Sequence, residues 1–172
     1  MSGDGRHLTA DAGSNSLPMR TITLLAVHCT ATVAGKPFNV AAIRAMHKAQ
    51  GWSDIGYHKL IGIGGEIWDG RPEAIAGAHI KGHNANSLAV SYVGGIWLEG
   101  NAADTRAGAQ LDALVHVLRQ WRAQHPAAMI RGHRDMSPDR DGDGVIEPHE
   151  WLKQCPCFDV VSWCRSVGID PK

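Results

Sequence analysis

Thr21-Ile22-Thr23-Leu24-Leu25-Ala26-Val27 is almost continuously apolar and β-rich, with no alternation of polar and apolar positions. A strand of this kind has no face to offer water, so it belongs at the centre of a sheet covered on both sides. The rest of the chain supplies the cover. Val40, Ile43 and the pair Met46/His47 recur at helical spacing within Pro37 to Gln50, and Gly51 stops that helix. Leu111, Leu114, Val115, Leu118 and Trp121 form a second, longer stripe that ends before Pro126. Tyr57 to Ile63 and Glu66 to Trp68 read as two strands joined at Gly64-Gly65, while Leu88 to Val93 and Ala128 to Arg131 read as two more. Strands and helices are interspersed and one hairpin is present. The expected class is therefore α/β: a single domain with a mixed central β-sheet flanked by α-helices.

With 172 residues the chain is one domain and long enough to bury a real core. Residues 1–20 are polar, small and aperiodic, and read as a disordered leader ahead of a domain over 21–170, with Met19 as an alternative start. No basic segment precedes an apolar one in the manner of a signal peptide, and no run reaches membrane-spanning length, so the expectation is synthesis in the cytoplasm without membrane insertion. A formal net charge of +0 gives no reason to expect a nucleic-acid partner. In that setting the 4 cysteines are expected to bind metal or stay reduced rather than pair as disulfides.

The stretch from Arg131 to Asp159 interleaves soft and hard ligand chemistry. His133 follows the last expected strand, as His28 follows the first; Cys155 lies in a loop whose backbone Pro156 restrains. Imidazoles and a thiolate suit Zn²⁺, and a set of three leaves one position open for water. The competing reading takes His28 and His133 as separate hydrogen-bonded histidines and Cys155 as a small buried residue. Between these ligands, D-R-D-G-D-G-V-I-E-P-H-E (139–150) fits the twelve-residue calcium loop. Asp139, Asp141 and Asp143 take positions one, three and five, and Gly144 makes the turn. Val145 offers its carbonyl, Glu147 stands at nine, and Glu150 supplies the bidentate ligand. The competing reading is an acidic surface loop. Pro138 argues against an entering helix and no second loop is present, so the site expected is structural Ca²⁺, not a sensor.

Five segments, in order, carry a resemblance: A-V-H-C-T-A-T (26–32), G-W-S-D-I-G-Y-H (51–58), G-A-H-I-K-G-H-N-A-N-S-L-A-V (77–90), V-G-G (93–95) and K-Q-C-P-C-F-D (153–159). Together they resemble the type 2 N-acetylmuramoyl-L-alanine amidases, the family of T7-type phage lysozymes and peptidoglycan recognition proteins, from about Thr21 to Trp163. The resemblance implies that family's mixed sheet and hydrolysis of the amide joining N-acetylmuramic acid to L-alanine in peptidoglycan. It implies zinc ligands at His28, His133 and Cys155, and catalytic roles for Tyr57 and Lys153. Because the full set is present, an active enzyme is implied, rather than a non-enzymatic peptidoglycan-binding module. The 139–150 loop is an insertion relative to the short phage pattern, and Cys157 stands where the family commonly has serine.

Several residues carry weaker expectations. His79, Asn84 and Asn86 are candidates for contacting substrate, although for Asn84, Asn86 and Ser87 a tight turn is the slightly favoured role, Asn and Ser being typical turn formers. His47 and His58 are expected to pack, and Trp52, Trp68 and Trp97 either to stack on sugars or to fill core. A cysteine hydrolase using Cys29 beside His28 is disfavoured, because neighbours on a strand face opposite sides. The setting implied is a monomeric phage or prophage endolysin that reaches the wall in the periplasm after release, with a bacterial wall-recycling amidase as the alternative.

Overall fold

Leu24–Cys29 forms strand β1, and every one of its residues is buried. In the computed structural model, which describes residues 20–172, β1 is bonded in parallel on both edges. One neighbour is β5 (Ser87–Tyr92) and the other is β7 (Met129–Gly132). β3 (Lys59–Ile61) pairs in parallel with β5, and β4 (Ile67–Asp69) closes the sheet in antiparallel fashion against β3. The order β4-β3-β5-β1-β7 is the mixed sheet expected from the sequence. The leader expected over residues 1–20 lies outside the described residues, apart from Arg20.

Alternation along β1 divides its side chains between two faces. Leu25, Val27 and Cys29 join the larger core with Leu88, Val90 and Tyr92 of β5. That face is covered by α2 (Ala109–Gln124), through Leu114, Val117, Leu118 and Trp121, and by α3 (Val160–Ser166), through Val160 and Cys164. Full burial of each such aliphatic chain stabilises the fold by about 1.5–3 kcal/mol. Leu24 and Ala26 face the other way, against Ile80 and Ala89. Farther along, α1 (Val40–Ala49) seats Ile43 against Ile55, Leu60 and Val93. The helix starts at Val40 rather than Pro37 because Asn39 caps it, its Oδ1 accepting from Ala42 N at 2.9 Å.

Three features differ from expectation. β1 continues through Cys29, so His28 lies within the strand rather than beyond it. The cause is unequal pairing: β5 follows β1 to Cys29↔Tyr92, whereas β7 stops at Val27↔Gly132. A short parallel pair, β2 (Thr32–Val33) with β6 (Gly95–Ile96), extends the crossover beyond the sheet. Helix α3 was not legible either. No helix among the described residues is long and apolar enough to cross a membrane, and all 4 cysteines are free.

His58 packs as expected, and its surroundings make it a pH-sensitive element of the core. It is 1% exposed. Its Nδ1 accepts from Ala89 N at 2.9 Å and its Nε2 lies 3.1 Å from Ile75 O. Burial, then the charges of Arg20 and Arg71, lower its pKa to about 4 against the opposing carbonyl of Ile75. Between 6.5 and about 4 the unfolded chain therefore binds a proton that the folded chain refuses. Stability from this site is complete above 6.5 and declines as pH falls. Urea unfolding of metal-free protein should show a lower midpoint at pH 5 than at pH 7, and His58→Gln should reduce proton uptake on unfolding by about one. An unchanged pH slope in the variant would refute this.

Candidate metal centre

The site forms where β7 leaves the sheet. With β7 ended at Gly132, His133 N donates to Val27 O at 3.2 Å and the ring turns over the end of β1. The His28 and His133 rings then lie 4.8 Å apart, centroid to centroid. Cys155 arrives from the following loop with Sγ 3.7 Å from His28 Nδ1. His28, His133 and Cys155 each offer a ligand atom, all within 4.8 Å of one another. The structure thus brings together the soft ligands singled out in the sequence.

Backbone ties fix the three segments to each other. Arg134 N donates to Cys155 O at 2.8 Å, joining the residue after one ligand to the carbonyl of another. Cys29 N donates to Cys155 Sγ at 3.2 Å. Tyr92 Oη, in the core, donates to Pro156 O at 2.7 Å. Gly132 is needed at the junction, since a Cβ there would stand 2.6 Å from Pro156 Cδ.

Electrostatics keep both imidazoles neutral. Burial, followed by His79, His133 and Lys153, holds His28 well below the usual histidine range. Burial and then Lys153 lower His133 to about 4. Both rings are neutral at physiological pH, with a lone pair available to a metal. Tyr57 lies 5.3 Å from the His28 ring, centroid to centroid. Burial foremost, then the charges of Cys155 and Cys29, raise its pKa, so the phenol keeps its proton. The Cys29 thiol faces the core and is pushed up to about 12, chiefly by its hydrogen bond with Cys155. Buried on the face of β1 opposite His28, it has no imidazole to take its proton, which disfavours the cysteine-hydrolase alternative.

These groups line a cavity of about 190 Å³, with Tyr57, Thr30 and exposed Lys153 on its walls. Beyond it lies a more open groove of about 470 Å³, which shares Trp52, His79, His133 and Lys153 and adds Lys81, Asn84 and Leu152. The groove reaches His79 and Asn84 but not Asn86, whose amide donates to Thr21 O at 3.0 Å. Asn84 Oδ1 accepts from His79 N and Ile80 N at 2.9 and 3.0 Å, so the turn role expected of this segment is present. His47 packs on Trp52 and Tyr57, at 4.5 and 5.2 Å. Sequence reasoning missed Arg20, whose guanidinium donates to the carbonyls of Glu73, Ile75, Asn84 and Ser87 at 2.7–3.0 Å. Its signal was a lone arginine at the edge of a polar leader.

The 139–150 loop is organised by its own carboxylates. Asp139 accepts from Gly142 N and Gly144 N at 2.6 and 2.8 Å, and these bonds lower its pKa. Glu150 accepts from Arg140 N and Glu147 N at 2.6 and 3.0 Å. Glu150 is 0% exposed, and each of its carboxylate oxygens meets a backbone N–H of the loop. Asp139, Asp141 and Asp143 offer oxygens within 4.8 Å of one another; Asp141, Glu147, His149 and Glu150 form a second such group. Leu152 N donates to Ser137 Oγ at 3.0 Å, closing the loop at its base.

Residues 18–150 match a protein family described as N-acetylmuramoyl-L-alanine amidase. An uncharacterised protein of Haemophilus influenzae is 51% identical over 105 residues, covering 61% of this chain and 90% of that protein. The endolysin of Enterobacteria phage K11 is 38% identical over 140 residues, covering 81% of this chain and 83% of that protein. Among solved structures, the N-acetylmuramoyl-L-alanine amidase LysC from Clostridium intestinale has the same fold, with a TM-score of 0.66 at 22% identity over 88% of each chain.

The family match ends at residue 150, and the Cys155 loop beyond it is held by the ties described above. Tyr92→Phe removes the buried donor to Pro156 O. It should cost about 1–2 kcal/mol of unfolding free energy, measured in urea. A loss below the error of such a measurement would show that this bond does not hold the Cys155 loop.

Proposed function

The chain belongs to the N-acetylmuramoyl-L-alanine amidase family, and from that premise we propose that His28, His133 and Cys155 hold the zinc ion of a peptidoglycan amidase. The enzyme hydrolyses the amide between N-acetylmuramic acid and L-alanine. The observation that carries the zinc reading is the donor set itself: two neutral imidazoles and one sulfur, within 4.8 Å, at the inner end of a cleft. A set of three from the protein leaves one position for water or substrate. When bound, zinc supplies Lewis acidity that makes water nucleophilic near neutral pH.

The protein's own groups do the rest. Lys153, exposed at the rim and electrostatically coupled to both histidines, offers positive charge to the oxyanion that forms as the carbonyl is attacked. Tyr57 keeps its proton and stands beside His28, where it orients the attacking water and relays a proton to the leaving amine. The adjoining groove takes the glycan–peptide junction, with His79 and Asn84 on its wall; Asn86 lies outside it and ties its segment to Thr21 O. The likeness to phage endolysins supports an endolysin role for a monomer acting on the cell wall after release from the cytoplasm.

The 139–150 loop is assigned to one structural Ca²⁺, through Asp139, Asp141, Asp143, the Val145 carbonyl and Glu150, with Glu147 adjoining. The complete spacing and the clustered carboxylates support this reading. Since Glu150 precedes Lys153 by three residues and Cys155 by five, a cation there would order the segment that carries both.

Cys155→Ala should lose zinc, measured by metal analysis after dialysis, together with release of peptide from purified sacculi. Lys153→Ala should keep its zinc while turnover falls about 100-fold or more. Full hydrolysis by the Cys155→Ala protein would sink the assignment. For the loop, adding a calcium-selective chelator while zinc is maintained should lower both Tm and turnover; unchanged values reject the calcium reading.

A further inference from the structure

A line of buried hydrogen bonds runs from a backbone carbonyl to His28. Ser87 Oγ lies 2.7 Å from His83 O and 3.1 Å from His79 Nε2, and His79 Nδ1 lies 3.2 Å from His28 Nε2. Ser87, His79 and His28 are 0%, 8% and 1% exposed, so little solvent is available to replace any of these partners. From this line we infer that His79 is a positioning residue, which fixes the tautomer and orientation of His28 so that Nδ1 is its metal-ligating atom.

The direction of each bond follows from counting protons. A carbonyl can only accept, so the single hydroxyl proton of Ser87 goes to His83 O. Ser87 Oγ must then accept from His79 Nε2–H. A neutral imidazole carries one N–H, which leaves His79 Nδ1 as an acceptor for His28 Nε2–H. His28 is left with its lone pair on Nδ1, the atom 3.7 Å from Cys155 Sγ. Reversing any member would set two donors, or two acceptors, against each other in a buried site, which is costly.

The residues holding His79 are themselves anchored. Asn84 Oδ1 receives His79 N and Ile80 N, and Arg20 grips the carbonyls of Asn84 and Ser87 at 2.8 and 2.7 Å. A ligating imidazole whose second nitrogen donates to a fixed acceptor is oriented and made more basic, and loss of such a partner typically weakens metal binding 10- to 100-fold. His79 thus acts on the metal through His28 in addition to facing the groove.

The inference rests on the zinc reading, and the experiment separates the two. Long-range ¹H–¹⁵N spectra of histidine-labelled, metal-free protein should show His28 and His79 both protonated at Nε2; protonation at Nδ1 in either ring overturns the inference. Zinc affinity, measured by chelator competition, should fall about 10- to 100-fold in His79→Ala. It should largely recover in His79→Asn, whose Oδ1 can stand in for the accepting Nδ1. Circular dichroism establishes that each variant is folded; if His79→Ala is not, the wild-type tautomers and His79→Asn decide. Wild-type zinc binding with unchanged affinity in folded His79→Ala rejects the role of His79 alone. Failure of the wild type to bind zinc rejects the metal centre and this inference with it.

Discussion

β1 is hydrogen-bonded in parallel along both edges, and the length of each pairing decides what stands at its end. The β5 edge stays paired to Cys29, so the strand remains extended through His28 and presents that ring on the face opposite the main core. The β7 edge is released after Val27, which lets His133 turn over the strand end and approach His28. One residue more of pairing on that side would carry His133 along the sheet instead of across it. Placement of the ligands is thus a consequence of where a ladder of backbone bonds stops.

Cys155, the third member of the proposed metal set, is secured differently, because no strand carries it. Cys155 is held by bonds to its surroundings on several sides: Arg134 N to its carbonyl, Cys29 N to its sulfur, and Tyr92 Oη to the next carbonyl. Loop and sheet therefore share one network, although 126 residues separate Cys29 from Cys155.

Much of this was legible from local pattern. The apolar run around Leu24–Val27, the glycine pair in the β3–β4 hairpin and the stripe on α2 each reflect a single short-range rule, and each element formed. The clustering of His28, His133 and Cys155 was anticipated from residue type and from the positions of the histidines near strand ends. What escaped notice depends on contacts distant in sequence. The seven-residue α3 is too short and too rich in valine to announce itself, and it forms because Val160 and Cys164 seat in a core built by other elements. The two-residue β2 and β6 exist only as partners of each other. Arg20 was read as part of a leader, yet its carbonyl partners lie more than fifty residues away, at Glu73, Ile75, Asn84 and Ser87. His79 was legible as a candidate contact, but its bonds to Ser87 and His28 were not, because burial and ring orientation are properties of the assembled fold.

The bond from Leu152 N to Ser137 Oγ has a consequence for the history of this chain. The acidic loop departs and returns through one point, so its residues form a side circuit on a route whose endpoints are already joined. Lengthening or deleting such a circuit alters mainly the entropy of closing it, which changes only logarithmically with length. The length of the 139–150 loop is in this sense only weakly constrained by closure, while its order still bears on the segment that follows Leu152.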